Sequence, residues 1–205
     1  MTVMAVNMAQ KRARKAQRRK ELATLARRED ALQNSLPARV ARAAQAPIRG
    51  CYVNEALFEI GMGTLVVARG ATIHYVVMAA FLLDTFALGI KDVTFEQVEG
   101  EIFDHYMDRM DETSPIVTVD PAYARRLLRE LAAWSKGLGF APHRNFAAVE
   151  RIFGDISADA SDAVFQFGHQ GEPLLIGGPS DSMVDVSRRS EQIEKYLADR
   201  AGDVA

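Results

Sequence analysis

In the middle of the chain, apolar residues form two runs that predict a pair of β-strands. The runs 64–68 and 73–83 flank a short glycine-containing connection at residues 70–72, which predicts a β-hairpin. The second run is apolar at nearly every position, as expected of a strand covered on both faces. The runs 164–167 and 173–176, separated by a glycine-containing turn, predict a second hairpin.

Helical spacing predicts the other elements. Residues 94–97 form a capping-box pattern that opens a helix, whose apolar stripe is Phe95, Val98, Ile102, Tyr106 and Met110. Asp120 before Pro121 marks a second helix start, and the glycines at 137 and 139 end that helix after the apolar positions Leu127, Leu128, Leu131, Trp134 and Leu138.

Two further helices follow from cap residues. Asn145 predicts the start of a short helix that ends at Phe153, and Ser182 with Asp185 predicts a last helix that ends near Gly202. The pattern of hairpin, helices, hairpin and helix predicts an α+β fold with two β-hairpins and three to four helices in one compact domain.

The N-terminal region has a different pattern. Residues 8–33 are rich in Ala, Arg, Lys, Glu and Leu, which favour helix, but the first half has no apolar face that packing could hold. We therefore expect a fraying helix or a disordered arm, followed by a linker between Pro37 and Pro47. The predicted organisation is a basic arm and linker at 1–48 and a globular domain at 49–205.

Composition narrows the class of protein. The single Cys51 excludes an intrachain disulfide and a cysteine-based zinc cluster, and it favours a reducing compartment. The longest apolar run, residues 73–83, has 11 residues, about half of what a membrane span needs. We expect a cytoplasmic protein that does not enter a membrane.

The charge is divided between the two parts of the chain. Residues 1–50 carry 12 Lys and Arg against 3 acids, whereas residues 51–205 carry 13 against 24. Clustered basic residues neutralise phosphates, which predicts RNA or a ribonucleoprotein as the partner, with DNA possible on the same grounds. The candidate phosphate contacts are Lys11, Arg12, Arg14, Lys15, Arg18, Arg19, Lys20, Arg27 and Arg28. The alternative is docking on a protein, including the acidic body of the chain itself.

Acidic residues support a different hypothesis, in which the chain is a metal-dependent phosphodiesterase. Asp84 ends the long apolar run, so it is either a structural carboxylate at a strand end or a base or metal ligand. The following predicted helix places Asp104 and Asp108 on one face, where a carboxylate strip is either solvated or able to bind a hard cation. Asp84, Asp104 and Asp108 together are the candidate metal ligands of a two-metal phosphodiesterase site.

His143 is the other candidate catalytic residue. It lies in a loop between two predicted helices, beside Arg144, where a base or a phosphate contact can sit. The structural alternative is a histidine that bonds backbone in a tight loop. The sequence contains no zinc-binding histidine spacing, phosphate-binding glycine loop or nucleophile elbow, and no cofactor is expected.

Three segments carry a resemblance to other proteins. Residues 81–92, Gly139-Phe140-Ala141-Pro142-His143 and Phe165-Gln166-Phe167-Gly168 resemble patterns from a group of uncharacterised bacterial proteins, over about residues 50–180. No activity is attached to that group, so the resemblance supplies no catalytic residue. It implies a bacterial, intracellular origin.

The first hypothesis is therefore a non-enzymatic accessory protein that binds RNA or a ribonucleoprotein through its basic arm. The alternatives are a metal-dependent phosphodiesterase or nuclease that uses Asp84 with the acidic helix, and a module that binds a protein partner. Convergence of Asp84, the acidic helix and His143 in one pocket would favour the enzyme.

Overall fold

The computed structural model describes residues 2–70, 74–176 and 182–202, and it describes only the backbone of 2–16, 29 and 199–202. Backbone contacts divide the chain into Met1–Arg39 and Val40–Ala205. The described residues form seven α-helices, five β-strands and two short 3-10 segments. The helices are α1 (Thr2–Gln33), α2 (Leu36–Ala43), α3 (Leu57–Ile60), α4 (Gly100–Thr113), α5 (Pro121–Gly137), α6 (Phe146–Val149) and α7 (Met183–Gly202). The strands are β1 (Ile48–Asn54), β2 (Met62–Arg69), β3 (Tyr75–Asp84), β4 (Gly89–Glu99) and β5 (Ile116–Val119), and the 3-10 segments are Glu150–Phe153 and Ala158–Ala160.

The five strands form one antiparallel sheet in the order β4-β3-β2-β1-β5. The first predicted hairpin is confirmed, because β2 pairs with β3 from Met62 opposite Asp84 to Arg69 opposite Val77. Residues 71–73 of its connection lie outside the described residues. The predicted α+β class is also confirmed, since helices pack on an antiparallel sheet.

Helices pack on both faces of the sheet. α4 links the edge strand β4 to the opposite edge strand β5, and its Phe103 and Met107 pack on Val66, Val76 and Met78. Residues that alternate with these, such as Leu65 and Phe81, point to the other face and are also buried. α5 and α6 cover that second face, where Phe81 meets Phe146 edge to face at 6.3 Å.

The predicted helix start at residues 94–97 is wrong. These residues belong to β4, and the helix begins later, at Gly100. Pairing with β3, including Phe95 opposite Ala79, extends the strand and outweighs the local capping pattern. The buried stripe of α4 therefore contains Phe103 and Met107, while Ile102 and Tyr106 are exposed.

The second predicted hairpin is also wrong. Residues 161–176 form no strand, and their one described bridge joins His169 to Glu172. The alternating Phe165 and Phe167 do share one side of the chain, as a strand would require. They use that side to stack on Phe58, with ring centroids 5.9 and 6.3 Å away, and Phe167 also contacts Trp134 at 5.5 Å.

The predicted linker contains structure. Residues 36–43 form α2, in which Pro37 occupies the first turn and the side chains of Val40 and Ala43 are buried. Proline is tolerated there because the first helical N–H groups have no intrahelical acceptor. β1, which the sequence pattern did not predict, then begins at Ile48.

The other helix predictions agree with the structure. Asp120 caps α5 by accepting the N–H of Ala122 at 2.7 Å, and the helix ends at Gly137. Asn145 precedes a short helix that continues as a 3-10 segment to Phe153, but its side chain makes no capping hydrogen bond. Ser182 accepts the N–H of Asp185 at 3.1 Å at the start of α7.

A buried ion pair ties α5 to the segment after it. The Arg125 guanidinium donates to both carboxylate oxygens of Glu150, at 2.7 and 3.4 Å, and Arg129 donates to Glu150 at 2.7 Å. Arg125 also donates to the carbonyls of Gly154 and Ile156. Burial alone would raise the pKa of Glu150, but the bonds from the two arginines outweigh burial and hold it below the usual range.

We expect Glu150→Gln to lower the free energy of unfolding by about 3–5 kcal/mol, because it leaves the buried Arg125 without its countercharge. The depressed pKa means that this contribution is present above the usual glutamate pKa and is lost as pH falls through the lowered value. Urea melts between pH 3 and 7 measure both effects. The control is Glu130→Gln, which removes the more exposed pair with Arg126 and should cost under about 1 kcal/mol; equal costs would contradict the expectation.

Adjacent substitutions in α4 test which of its faces is the core. Phe103→Ala should cost about 3–5 kcal/mol because it empties a buried site between the helix and the sheet. Ile102→Ala should change stability by under about 0.5 kcal/mol, since that side chain is 55% exposed. Chemical denaturation of the two variants checks the assignment. A larger loss of unfolding free energy for Ile102→Ala would show that the face predicted from sequence, which contains Ile102, is the buried one.

Candidate functional site

The basic residues of α1 whose side chains the structure describes are exposed to solvent. Every described side chain from residue 17 to 34 is exposed, including Arg18, Arg19, Lys20, Arg27 and Arg28. Successive positions on a helix point about 100° apart, so these charges surround the helix instead of forming one stripe. The side chains of Lys11, Arg12, Arg14 and Lys15 lie outside the described part, although their backbone is helical.

Apolar side chains in the same helix are exposed as well. Leu22 and Leu25 have 57% and 58% of their surface accessible, and Leu32 has 71%. Together with Arg18 they recur at spacings of three, four and seven residues, which places them on one face. The C-terminal half of α1 therefore does have a narrow apolar edge, flanked by cations.

Asp84 is the last residue of β3 and is fully buried where the turn to β4 begins. Its Oδ1 accepts the N–H groups of Phe86 at 3.1 Å and Ala87 at 2.8 Å, while Oδ2 has no hydrogen-bond partner among the described residues. Burial raises the pKa of this carboxyl, and the backbone N–H bonds and the nearby Lys91 oppose that rise without cancelling it. A side chain with no exposed surface cannot contact a substrate while this turn is closed.

The acidic residues of α4 lie apart from Asp84. Asp104 and Asp108 are exposed on the outer face of the helix, and Asp104 lies 3.8 Å from the Arg49 guanidinium. Within the described ranges, no three His, Cys, Asp or Glu side chains are grouped so that they could hold a metal ion. The structure thus does not bring the three candidate ligands Asp84, Asp104 and Asp108 together.

His143 lines a pocket of about 390 Å³ that neither Asp84 nor Asp104 lines. Its backbone N–H donates to the Ile90 carbonyl at 2.9 Å, which fixes the loop after α5 against β4. Its Nδ1 accepts from the Asn145 N–H at 3.4 Å, and its Nε2 lies 3.7 Å from an oxygen of Asp92. These contacts fit the interpretation of His143 as a histidine that bonds backbone in a tight loop. The same contacts hold its ring at the edge of the pocket.

The walls of this pocket come from three parts of the chain. The β3–β4 turn and β4 supply Leu88, Ile90 and Lys91; the loop after α5 supplies Gly139, Phe140, Ala141 and His143; α7 supplies Arg188, Arg189 and Gln192. Four of these side chains are basic, and they stand on a part of the chain that carries 11 more acids than Lys and Arg. We refer to this cavity as the basic pocket.

Sequence reasoning found His143 but missed the other cations of the basic pocket. Arg188 and Arg189 are nearly 100 residues from Lys91, and no spacing rule connects them. The available signal was the Arg-Arg pair near the start of a predicted helix, in an otherwise acidic region. A pair of that kind is ordinary on a solvated helix, so only the packing of α7 reveals its neighbours.

A second concavity, of about 710 Å³, lies where α4 leaves part of the sheet uncovered. Its apolar walls include Met62, Leu82, Ile102 and Tyr106, and the side chains of His105 and Arg109 stand at its edge. Although Tyr106 is 37% exposed as a whole, partial burial, and then the nearby Glu96, raises the pKa of its hydroxyl. This concavity is the reason why Ile102 and Tyr106, which the sequence pattern assigned to the core, are exposed.

No family model, curated protein or solved structure matches this chain. Across the part of the chain that the structure describes, no helix has the length and apolar character needed to cross a membrane.

Asp84 can be tested through stability. Asp84→Ala should lower the free energy of unfolding by about 1–3 kcal/mol, because the N–H groups of Phe86 and Ala87 lose their acceptor. Asp84→Asn should cost less, since an amide oxygen still accepts both bonds. Thermal and urea melts of the three proteins measure the order, and a larger loss for Asn than for Ala would contradict the described bonding.

The raised pKa of Asp84 also predicts the direction in which the free energy of unfolding changes with pH. A buried carboxyl with an elevated pKa favours the folded state below the usual aspartate pKa, and this contribution is lost as pH rises through the elevated value. The stability of the wild type should therefore fall relative to Asp84→Asn over that window, so the gap between the two narrows with rising pH. A gap that widens with rising pH would show that the carboxylate is stabilised as an anion.

Proposed function

We propose that this chain is a non-enzymatic accessory protein that binds RNA or a ribonucleoprotein through α1. The observation that supports the proposal is the exposure of Arg18, Arg19, Lys20, Arg27 and Arg28 around a helix whose described side chains are not buried against other residues. Lys and Arg side chains in this setting displace condensed counterions from phosphates, which makes polyanion binding favourable at moderate salt.

The helical state of α1 strengthens the electrostatic argument. A helix of 32 residues is about 48 Å long, so its basic block can lie along several successive phosphates. Its described side chains, from residue 17 onward, are exposed and mostly polar, so packing contributes little there and binding a polyanion would stabilise the helix. The absence of aromatic residues from residues 1–50 favours contacts to the phosphate backbone over contacts to bases.

The phosphodiesterase alternative has less support. It requires Asp84 to meet a metal ion or a substrate, whereas the side chain is buried and its Oδ1 is engaged by two backbone N–H groups. The candidate partners Asp104 and Asp108 are on the exposed face of α4, and His143 lines the basic pocket instead. The proposal therefore assigns no catalytic role to these four residues.

The test is a salt titration of RNA binding with two variants of equal charge change. For the full chain on a single-stranded RNA, contact with about six phosphates gives a log–log slope of affinity against salt near −4. Replacing Arg18, Arg19 and Lys20 by Gln should reduce the magnitude of the slope by about 2 and weaken binding at low salt, because about three phosphate contacts are lost. Glutamine is also a good helix former, so circular dichroism should show unchanged helicity.

The matched control replaces Arg109, Lys136 and Arg151 by Gln, which removes two arginines and one lysine from other exposed positions. This control should bind RNA almost as the wild type does. Equal losses in the two triple variants would mean that net charge alone governs binding, and the proposal would fail. Tighter binding to an acidic polypeptide than to RNA of equal charge would favour the protein-partner alternative.

A further inference from the structure

Two apolar faces occur on α4, and only one of them is buried against the sheet. Phe103 and Met107 are buried there, whereas Ile102 and Tyr106 on the adjacent face have 55% and 37% of their surface exposed. A single exposed apolar side chain is common and needs no explanation. Here the exposed pair lines a concavity of about 710 Å³, which we call the α4 concavity.

The other wall of the α4 concavity is the part of the sheet that the helix leaves uncovered. Met62 and Leu82 lie there on the neighbouring strands β2 and β3, and both side chains are half-buried. Ile60 of α3, which is 54% exposed, belongs to the same lining. A concavity of this volume with mostly apolar walls falls in the range of sites for small ligands.

Polar side chains of the lining are already bonded within the protein. The buried Asn54 donates through Nδ2 to the Ser114 carbonyl at 3.0 Å, and its Oδ1 accepts the Thr64 N–H at 2.7 Å. The Thr113 hydroxyl donates to the Arg109 carbonyl at 2.9 Å. A ligand therefore does not have to supply partners for these groups, and burial of its apolar surface is the main gain on binding.

Arg109 is the charged group that a ligand meets at the edge of the α4 concavity. Its guanidinium is exposed, and it has no hydrogen bond or ion pair among the described residues. His105 lies one turn earlier on the same side of the helix. The described lining contains no Asp or Glu, although Glu96 lies near Tyr106. A carboxylate can therefore accept from the Arg109 guanidinium without displacing an existing partner.

Apolar burial has to supply most of the affinity. Asp108 and Glu112 adjoin Arg109 on the exposed side of α4, and residues 51–205 carry more acids than Lys and Arg, so an ion pair here gains little. Each buried methylene, by contrast, raises the affinity roughly fourfold. A ligand with an alkyl chain and one terminal carboxylate uses both features of the site, whereas a small polar anion uses only the weaker one.

We infer that the α4 concavity binds a free alkyl carboxylate of the fatty-acid class, with its chain between Ile102 and Leu82 and its carboxylate at Arg109. Walls from the helix and the sheet surround the chain, and the single unpaired guanidinium at the edge matches a single anionic head group. This inference concerns a site that α1 does not line, so it goes beyond the proposed binding of RNA and does not depend on it.

The test is titration of the full chain with alkyl ligands, monitored by calorimetry. Decanoate should bind about tenfold more tightly than octanoate, because two more methylenes are buried. Octanoate should bind about threefold more tightly than octanol, and octanol more tightly than the octylammonium ion, because only the carboxylate accepts from Arg109. Vesicles of an anionic phospholipid are the comparison that separates a free carboxylate from a bilayer lipid.

Variants separate the two contributions to binding. Arg109→Gln should reduce the affinity for octanoate to that for octanol and leave octanol binding unchanged, whereas Arg109→Lys should keep most of the preference. Ile102→Ala should weaken octanoate and octanol alike, by about fivefold, because the chain loses part of its wall. The matched control is Val184→Ala, which removes a 76% exposed apolar side chain from α7 and should change neither affinity.

Several results would overturn the inference. They are no binding of decanoate, an affinity that does not rise with chain length, and equal affinity of the wild type for octanoate and octanol. A loss for Val184→Ala as large as that for Ile102→Ala, or binding of the vesicles without binding of decanoate, would also overturn it. Replacement of Arg18, Arg19 and Lys20 by Gln should leave decanoate affinity unchanged, so that this site and the proposed binding of RNA by α1 are tested separately.

Discussion

The hydrogen bonds that Asp84 accepts within the β3–β4 turn are the constraint on which the rest of this part of the structure depends. They fix a turn whose other backbone groups bind two further segments. The Thr85 N–H donates to the Gly61 carbonyl at 2.8 Å, and the Thr85 and Phe86 carbonyls accept from Gly168 and Leu174 of the 161–176 segment. At the end of the turn Gly89 has a φ of +73°, and a side chain there would collide with Ser135 of α5. A buried carboxylate is costly, and here it orders backbone that would otherwise leave N–H groups unpaired.

From that turn the constraint extends to the basic pocket. Ala87 and Leu88 form the apolar patch on which Ile193 of α7 packs, and α7 in turn carries Arg188. The neighbouring strand β4 carries Lys91 and accepts the backbone bond from His143. Asp84 therefore contributes to the pocket without lining it. Its two backbone bonds give Asp84 a structural part in the turn that positions these other side chains.

The sequence predicted those elements whose signals are local, and it failed where distant pairing decides. Asp120 with Pro121 and Ser182 with Asp185 lie at helix starts because a cap needs only its own turn of helix. Residues 94–97 have an equally good local pattern, but β3 offers them a full set of strand partners. Phe165 and Phe167 have strand-like alternation, yet α3 and α5 provide aromatic partners for them. Of the basic pocket only His143 could be singled out, because the approach of α7 to β4 depends on contacts about 100 residues apart.

The charge distribution limits where an anion can bind on residues 51–205. A chain whose residues 51–205 carry 24 acids and 13 Lys and Arg repels a polyanion over most of that surface. On this acidic part an anion therefore meets favourable potential mainly where cations are clustered. The basic pocket brings several cations together, on elements that pack on one another through Leu88 and Ile193. Repulsion by the rest of the acidic surface then restricts the positions in which an anionic ligand can bind. Specificity depends on this difference between favourable and unfavourable positions.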